Sequence, residues 1–139
     1  MKFLLLNFLP ASADLALLLL RLWFGLSMLV LHGWGKVMNF SALSTKFADP
    51  LGIGTTASVV LVIFAEVVCA ALIAIGLFTR WAALVLGGAM FAAFWTAHGA
   101  KLSGPGNGEM AFLFLGASLA LFICGAGRFS VDSGLGAKR

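Results

Sequence analysis

Six polar side chains in a largely apolar chain have the types to do chemistry: Arg21, His32, Lys36, Glu66, His98 and Glu109. Arg21 and Glu66 stand inside long apolar runs. A charge at membrane depth is costly, so such groups face a bundle interior and find a partner or a ligand there. A guanidinium offers fixed donors and a carboxylate accepts bonds or a proton, so the two together can orient and polarise a small molecule. The plainer role is to tie two helices, although a buried ion pair often adds little net stability because both charges must be desolvated. His32 and His98 each end an apolar run, Lys36 follows His32 by one helical turn, and Glu109 opens another run. Imidazole and carboxylate groups near a bilayer surface suit proton transfer to a lipid-soluble redox carrier. Two histidines and a carboxylate are also metal-ligand types, but here they come from separate segments without a local ligand motif, so no metal is expected.

The elements that must position these groups follow from composition. Hydrophobic residues make up 62% of the 139 and charged residues 10%, with a mean hydropathy of +1.09. A soluble domain carries about 25% charged residues, so the solvent for most of this surface must be lipid. The expected fold class is all-α: a polytopic membrane protein, an antiparallel bundle of four transmembrane helices. It forms a single domain over residues 1–139, with spans at about 14–35, 57–79, 80–98 and 109–125. Phe40, Leu43 and Phe47 recur at helical spacing within 40–48, which predicts a short amphipathic helix between the first and second spans. Lys2, the apolar run 3–9 and Ala11-Ser12-Ala13 imitate a signal peptide, but thirteen residues are too few and Pro10 interrupts the run. That segment reads as an interfacial lead-in.

Helical rise converts sequence into depth. Arg21 falls roughly 10 Å in from one face and Glu66 roughly 13 Å from the other, so in a core of about 30 Å their levels differ by only about 6 Å. The expectation is a buried Arg21–Glu66 ion pair, or one polar ligand shared by both. The same arithmetic separates Cys69 from Cys124 in depth, so no disulfide between them is expected. Lys2, Arg80, Arg128, Lys138 and Arg139 fall on one side of a four-span chain, and Lys36, Lys46 and Lys101 on the other. The excess places both termini in the cytoplasm. The basic residues form no stripe, so the net charge of +4 does not signal nucleic acid.

Arg21-x3-Gly25-x6-His32-Gly33-x2-Lys36, then Ala65-Glu66 with Gly76-Leu77-x-Thr79-Arg80, then Glu109 and Gly125-Ala126-Gly127-Arg128-x-Ser130-x-Asp132 occur in this order. Over about residues 14–132 the chain resembles the DoxX family of small membrane proteins. Cys69-Ala70 departs from a place where that family often has Gly. The resemblance implies a four-helix bundle in a bacterial or archaeal inner membrane. It also implies a link to quinone-dependent oxidation or to oxidative stress, within larger complexes. The expected function is therefore a redox-associated membrane protein that binds a quinone or similar small aromatic molecule. Its pocket residues would be Arg21, Glu66, His32, Lys36, His98 and Glu109. No catalytic residue is assigned, and a quinone is expected as ligand or substrate rather than as a resident cofactor. A protein partner or a second copy would accompany it. Two other readings stand beside this one: a non-enzymatic assembly subunit that holds a partner, and a small oligomeric transporter.

Overall fold

The computed structural model describes residue 4 and residues 11–136, and all regular structure among them is helical. The expected lead-in over 1–10 lies almost wholly outside the described residues. Six helices follow one another: α1 (Ala13–Met38), α2 (Phe40–Leu43), α3 (Thr55–Ile75), α4 (Thr79–Ala97), α5 (Glu109–Cys124) and α6 (Val131–Gly134). Three of them, α1, α3 and α4, are long and apolar enough to cross a membrane, at 26, 21 and 19 residues. The apolar α5 has 16 residues, so it is about 24 Å long.

Local chemistry sets the helix ends. Ser12 caps α1 by accepting a hydrogen bond from the Leu15 amide at 3.2 Å. At the end of α3, Gly76 turns to φ +75°, and the Gly76 and Leu77 amides both donate to the Leu72 carbonyl at 2.9 Å. This left-handed closure stops the helix at Ile75, four residues before the sequence reading ends the span. The amphipathic helix expected over 40–48 is helical only from Phe40 to Leu43. Ser44 and Thr45 turn their hydroxyls back onto the carbonyls of Ser41 and Ala42, and the chain leaves the helix there. Further on, Asp49 organises the loop into α3. Its Oδ1 accepts from Ser58 Oγ at 2.8 Å and from the Ile53 amide, and its Oδ2 from the Gly54 amide at 2.8 Å.

The helix α1 packs along α3, and α4 packs along α5. Phe24, Met28, Cys69, Ile73, Leu86, Met90, Phe94, Phe114 and Leu121 fill the space between them. The outer faces carry Trp23, Val30, Trp81, Phe91, Trp95 and Ile123, a surface that only lipid solvates well. Each of the three long helices contains one wide π-turn: Met28–Gly33 in α1, Phe64–Cys69 in α3 and Ala93–Ala97 in α4. Such turns insert a residue into a helix and recur at functional sites.

Candidate functional site

The register of α1 on α3 decides which polar groups meet. Gly25 lies against Ala70 and Ala74, and Gly33 lies against the Glu66 backbone. A Cβ on Gly33 would come within 2.6 Å of the Glu66 carbonyl, so only glycine admits this approach. With Gly33 level with Glu66, the next turn of α1 carries Lys36 over the Glu66 side chain. Lys36 Nζ and Glu66 Oε2 form an ion pair at 2.5 Å, with the two side chains 25% and 6% exposed. Lys36 Nζ also donates to the His32 carbonyl at 3.4 Å. The His32 ring packs edge-on against Phe114 with centroids 5.3 Å apart, and Phe114 in turn lies 5.3 Å from Phe24. Lys36, Glu66 and His32 thus come together where two π-turns meet, with an aromatic wall beside them.

Arg21 lies elsewhere, which corrects the expected Arg21–Glu66 pair. Arg21 packs against Gly76 at the far end of α3, whereas Glu66 is level with Gly33. Twelve residues of helix separate the two levels on α1, about 18 Å rather than about 6 Å. The depth count fails because it starts both spans at the hydrocarbon boundary. In fact the first turns of α1 run past the end of α3. There Asp14 Oδ1 accepts from the Arg128 amide at 2.9 Å, and Leu17 lies against Gly127.

Around Arg21 the structure builds a polar knot that no single segment announces. Arg21 is 0% exposed, and its Nη2 donates to the Phe129 carbonyl. Asp132 Oδ1 and Oδ2 accept from the Phe78 and Thr79 amides at 2.8 and 3.0 Å, so a residue from beyond α5 caps the start of α4. The Asp132 amide donates to the Gly76 carbonyl at 2.9 Å, and Asp132 lies within electrostatic reach of Arg21. Arg80 Nη2 donates to the Ile123 carbonyl at 3.0 Å, satisfying one of the free carbonyls at the end of α5. A side chain on Gly76 would collide with the Arg21 guanidinium and would also need φ +75°. Sequence reasoning flagged Gly76, Thr79, Arg80 and Asp132 only as a pattern. The three-dimensional reason for the pattern is this knot.

The remaining candidates do not join the Lys36–Glu66 site. His98 Nδ1 is bonded to the Gly106 carbonyl at 2.9 Å, which folds the glycine-rich loop back onto the end of α4. Glu109 is exposed, and its amide donates to Asn107 Oδ1 at 3.0 Å, so it marks the first turn of α5. Among the described residues, no three His, Cys, Asp or Glu side chains group as a metal site. Cys69 is a buried free thiol and Cys124 an exposed one. An open groove of about 240 Å³ on the membrane-facing side is lined by Phe64, Cys69, Leu72, Phe78, Trp81, Ala82 and Val85, all apolar or thiol side chains.

Long apolar helices whose charged residues turn inward or sit at helix ends define a multi-pass integral membrane protein, with a lipid bilayer as its solvent. The family model of DoxX matches residues 16–99, more than half of the chain, and the chain belongs to the DoxX family. That stretch holds Arg21, the Lys36–Glu66 pair and the turn after α3, while the Asp132 segment lies beyond it. No curated protein and no solved structure matches the chain.

Proposed function

We propose that this chain is a redox-associated membrane protein that binds a quinone or similar small aromatic molecule at the Lys36–Glu66 pair. The observation that supports the reading is a carboxylate almost wholly withdrawn from solvent, bonded to a single ammonium, at the junction of two π-turns. Intramembrane charges of this kind mark ligand and proton pathways. In this reading, Lys36 donates to a ring carbonyl oxygen, and Glu66 relays protons to the ring oxygens as the quinone takes up two electrons and two protons to become the quinol. His32 and Phe114 bound the slot, and the bilayer delivers the apolar tail. Arg21, His98 and Glu109 then act outside the pocket, as parts of the frame. Electrons come from a partner protein, because the sequence carries no haem, flavin-type or nucleotide motif of its own. The proposal includes α5 as a fourth span in a locally thinned bilayer, and both termini on the cytoplasmic side of an inner membrane.

The test is titration of the detergent-solubilised protein with a short-chain ubiquinone, read by quenching of tryptophan fluorescence. Trp34, two residues from Lys36 and exposed, is the natural reporter. Saturable quenching, weakened about tenfold or more by Glu66→Gln and by Lys36→Met, is expected; a tenfold loss corresponds to about 1.4 kcal/mol. Equal affinities in the folded wild type and variants would remove the pair from any quinone site. Absence of saturable binding would shift the reading to an assembly subunit that holds a partner.

A further inference from the structure

The polar cross-links between distant segments are unevenly placed. One end of the bundle is sealed by six of them: Arg21 to Phe129, Arg128 to Asp14, Asp132 to Phe78 and to Thr79, Asp132 to Gly76, and Arg80 to Ile123. At the other end, among the described residues, Lys36–Glu66 is the side-chain bond that holds the last turn of α1 to α3. That turn, Trp34–Met38, has no buried residue, and Gly35 faces open space. The π-turn Met28–Gly33 precedes it, and at Asn39 (φ −105°, ψ 20°) the helix breaks before α2. Among the described residues, the next hydrogen bonds to α3 are at Ser44, whose carbonyl accepts from Thr55 Oγ1 at 2.6 Å and from Thr56 Oγ1 at 3.2 Å. Between Gly33 and Ser44, then, runs a flap in which no residue is fully buried, and its Lys36 reaches the withdrawn carboxylate of Glu66.

We propose that Trp34–Met38 is a lid over Glu66, hinged at the π-turn Met28–Gly33 and clasped by the Lys36–Glu66 ion pair. A segment with few buried contacts opens locally at a small cost compared with the bundle around it. Here the clasp supplies most of what holds it. Anything that competes for the Glu66 carboxylate, such as the hydroxyl of a ring reduced in the slot, releases Lys36 and lifts the turn. The closed state keeps the carboxylate away from water and bulk lipid, and the open state presents it. The lid concerns access to the site proposed above. It rests on Glu66 as that site and not on which molecule binds there.

Amide hydrogen exchange of the full chain in detergent tests this, comparing wild type with Lys36→Met and Glu66→Gln. Residues 34–39 are expected to exchange about tenfold or more faster in Lys36→Met and by a smaller factor in Glu66→Gln. Residues 13–27 and 70–75 should stay at wild-type rates. Unchanged exchange at 34–39 in the folded variants overturns the lid. So does acceleration spread evenly over α1 and α3, which would make the pair a general brace. If Lys36→Met does not fold, Glu66→Gln, which keeps the shape and an acceptor, carries the same comparison. Quinone titration is read separately: a clasp-dependent lid without quinone binding removes the ligand and leaves the lid, and quinone binding without lid exchange does the reverse.

Discussion

At the scale of single residues, the bundle treats its two inward charges in opposite ways. Glu66 has a strong short-range partner in Lys36, while Arg21 is held by a backbone carbonyl and the field of Asp132. Asp132 is therefore the residue whose loss should be felt furthest from its own position. Asp132→Ala removes both acceptors from the start of α4 and the anion facing Arg21. It should lower stability by about 1–3 kcal/mol, and Asp132→Asn by less, in chemical denaturation of the detergent-solubilised protein. A wild-type denaturation midpoint for Asp132→Ala would refute the cap. Glu66 and Arg21 were legible from sequence because a charge in an apolar run must be compensated. Their partners were not: Lys36 lay just past the expected end of the first span at about 35, and Asp132 lay 111 residues downstream of Arg21 with no local signal.

At the scale of elements, the positions of the long helices were readable from hydropathy, and their exact ends were decided by groups from other segments. The helix α1 continues past His32 because Gly33 lets it lie on the Glu66 backbone. The helix α3 stops at Ile75 because Gly76 turns left-handed and the Asp132 amide takes its carbonyl. The loop before α3 depends on one carboxylate in the same way. Hydrogen bonds from Ser58 Oγ and then from the Gly54 amide hold the Asp49 carboxyl below the usual carboxylate range. A group with a depressed folded-state value contributes fully above its unfolded value, about 3.9, and loses that contribution as pH falls through the folded value. The Ile53 and Gly54 amides should thus stay protected at pH 6 and lose protection only at a pH well below the ordinary carboxylate value of about 3.9. In Asp49→Asn their protection should be weak at both pH values and nearly independent of pH. Exchange measurements at the two pH values check the sign, and pH-independent protection in the wild type would refute it.

For the whole molecule, the contrast is between a sealed end, where the segment after α5 is bound to α1 and to the α3–α4 turn, and the opposite end, where among the described residues the Lys36–Glu66 ion pair ties the last turn of α1 to α3. Ending the chain at Cys124 removes the Phe129 carbonyl and Asp132 together and leaves Arg21 buried without either. Breaking a buried charge's partnerships typically costs about 3–5 kcal/mol, so this truncation should aggregate or melt far below the full chain in size-exclusion and thermal-shift measurements. A monodisperse truncated protein with an unchanged melting point would show that the knot is dispensable. The separation of its two halves along the chain has a consequence for biogenesis. Arg21 and Phe129 are 108 residues apart, so at about 5–20 residues per second the cation waits roughly 5–20 s for the carbonyl that receives it. During that interval the first helix cannot take its final seat in the bilayer. Its insertion is completed from the opposite end of the chain, by residues translated after all the others that pack around it.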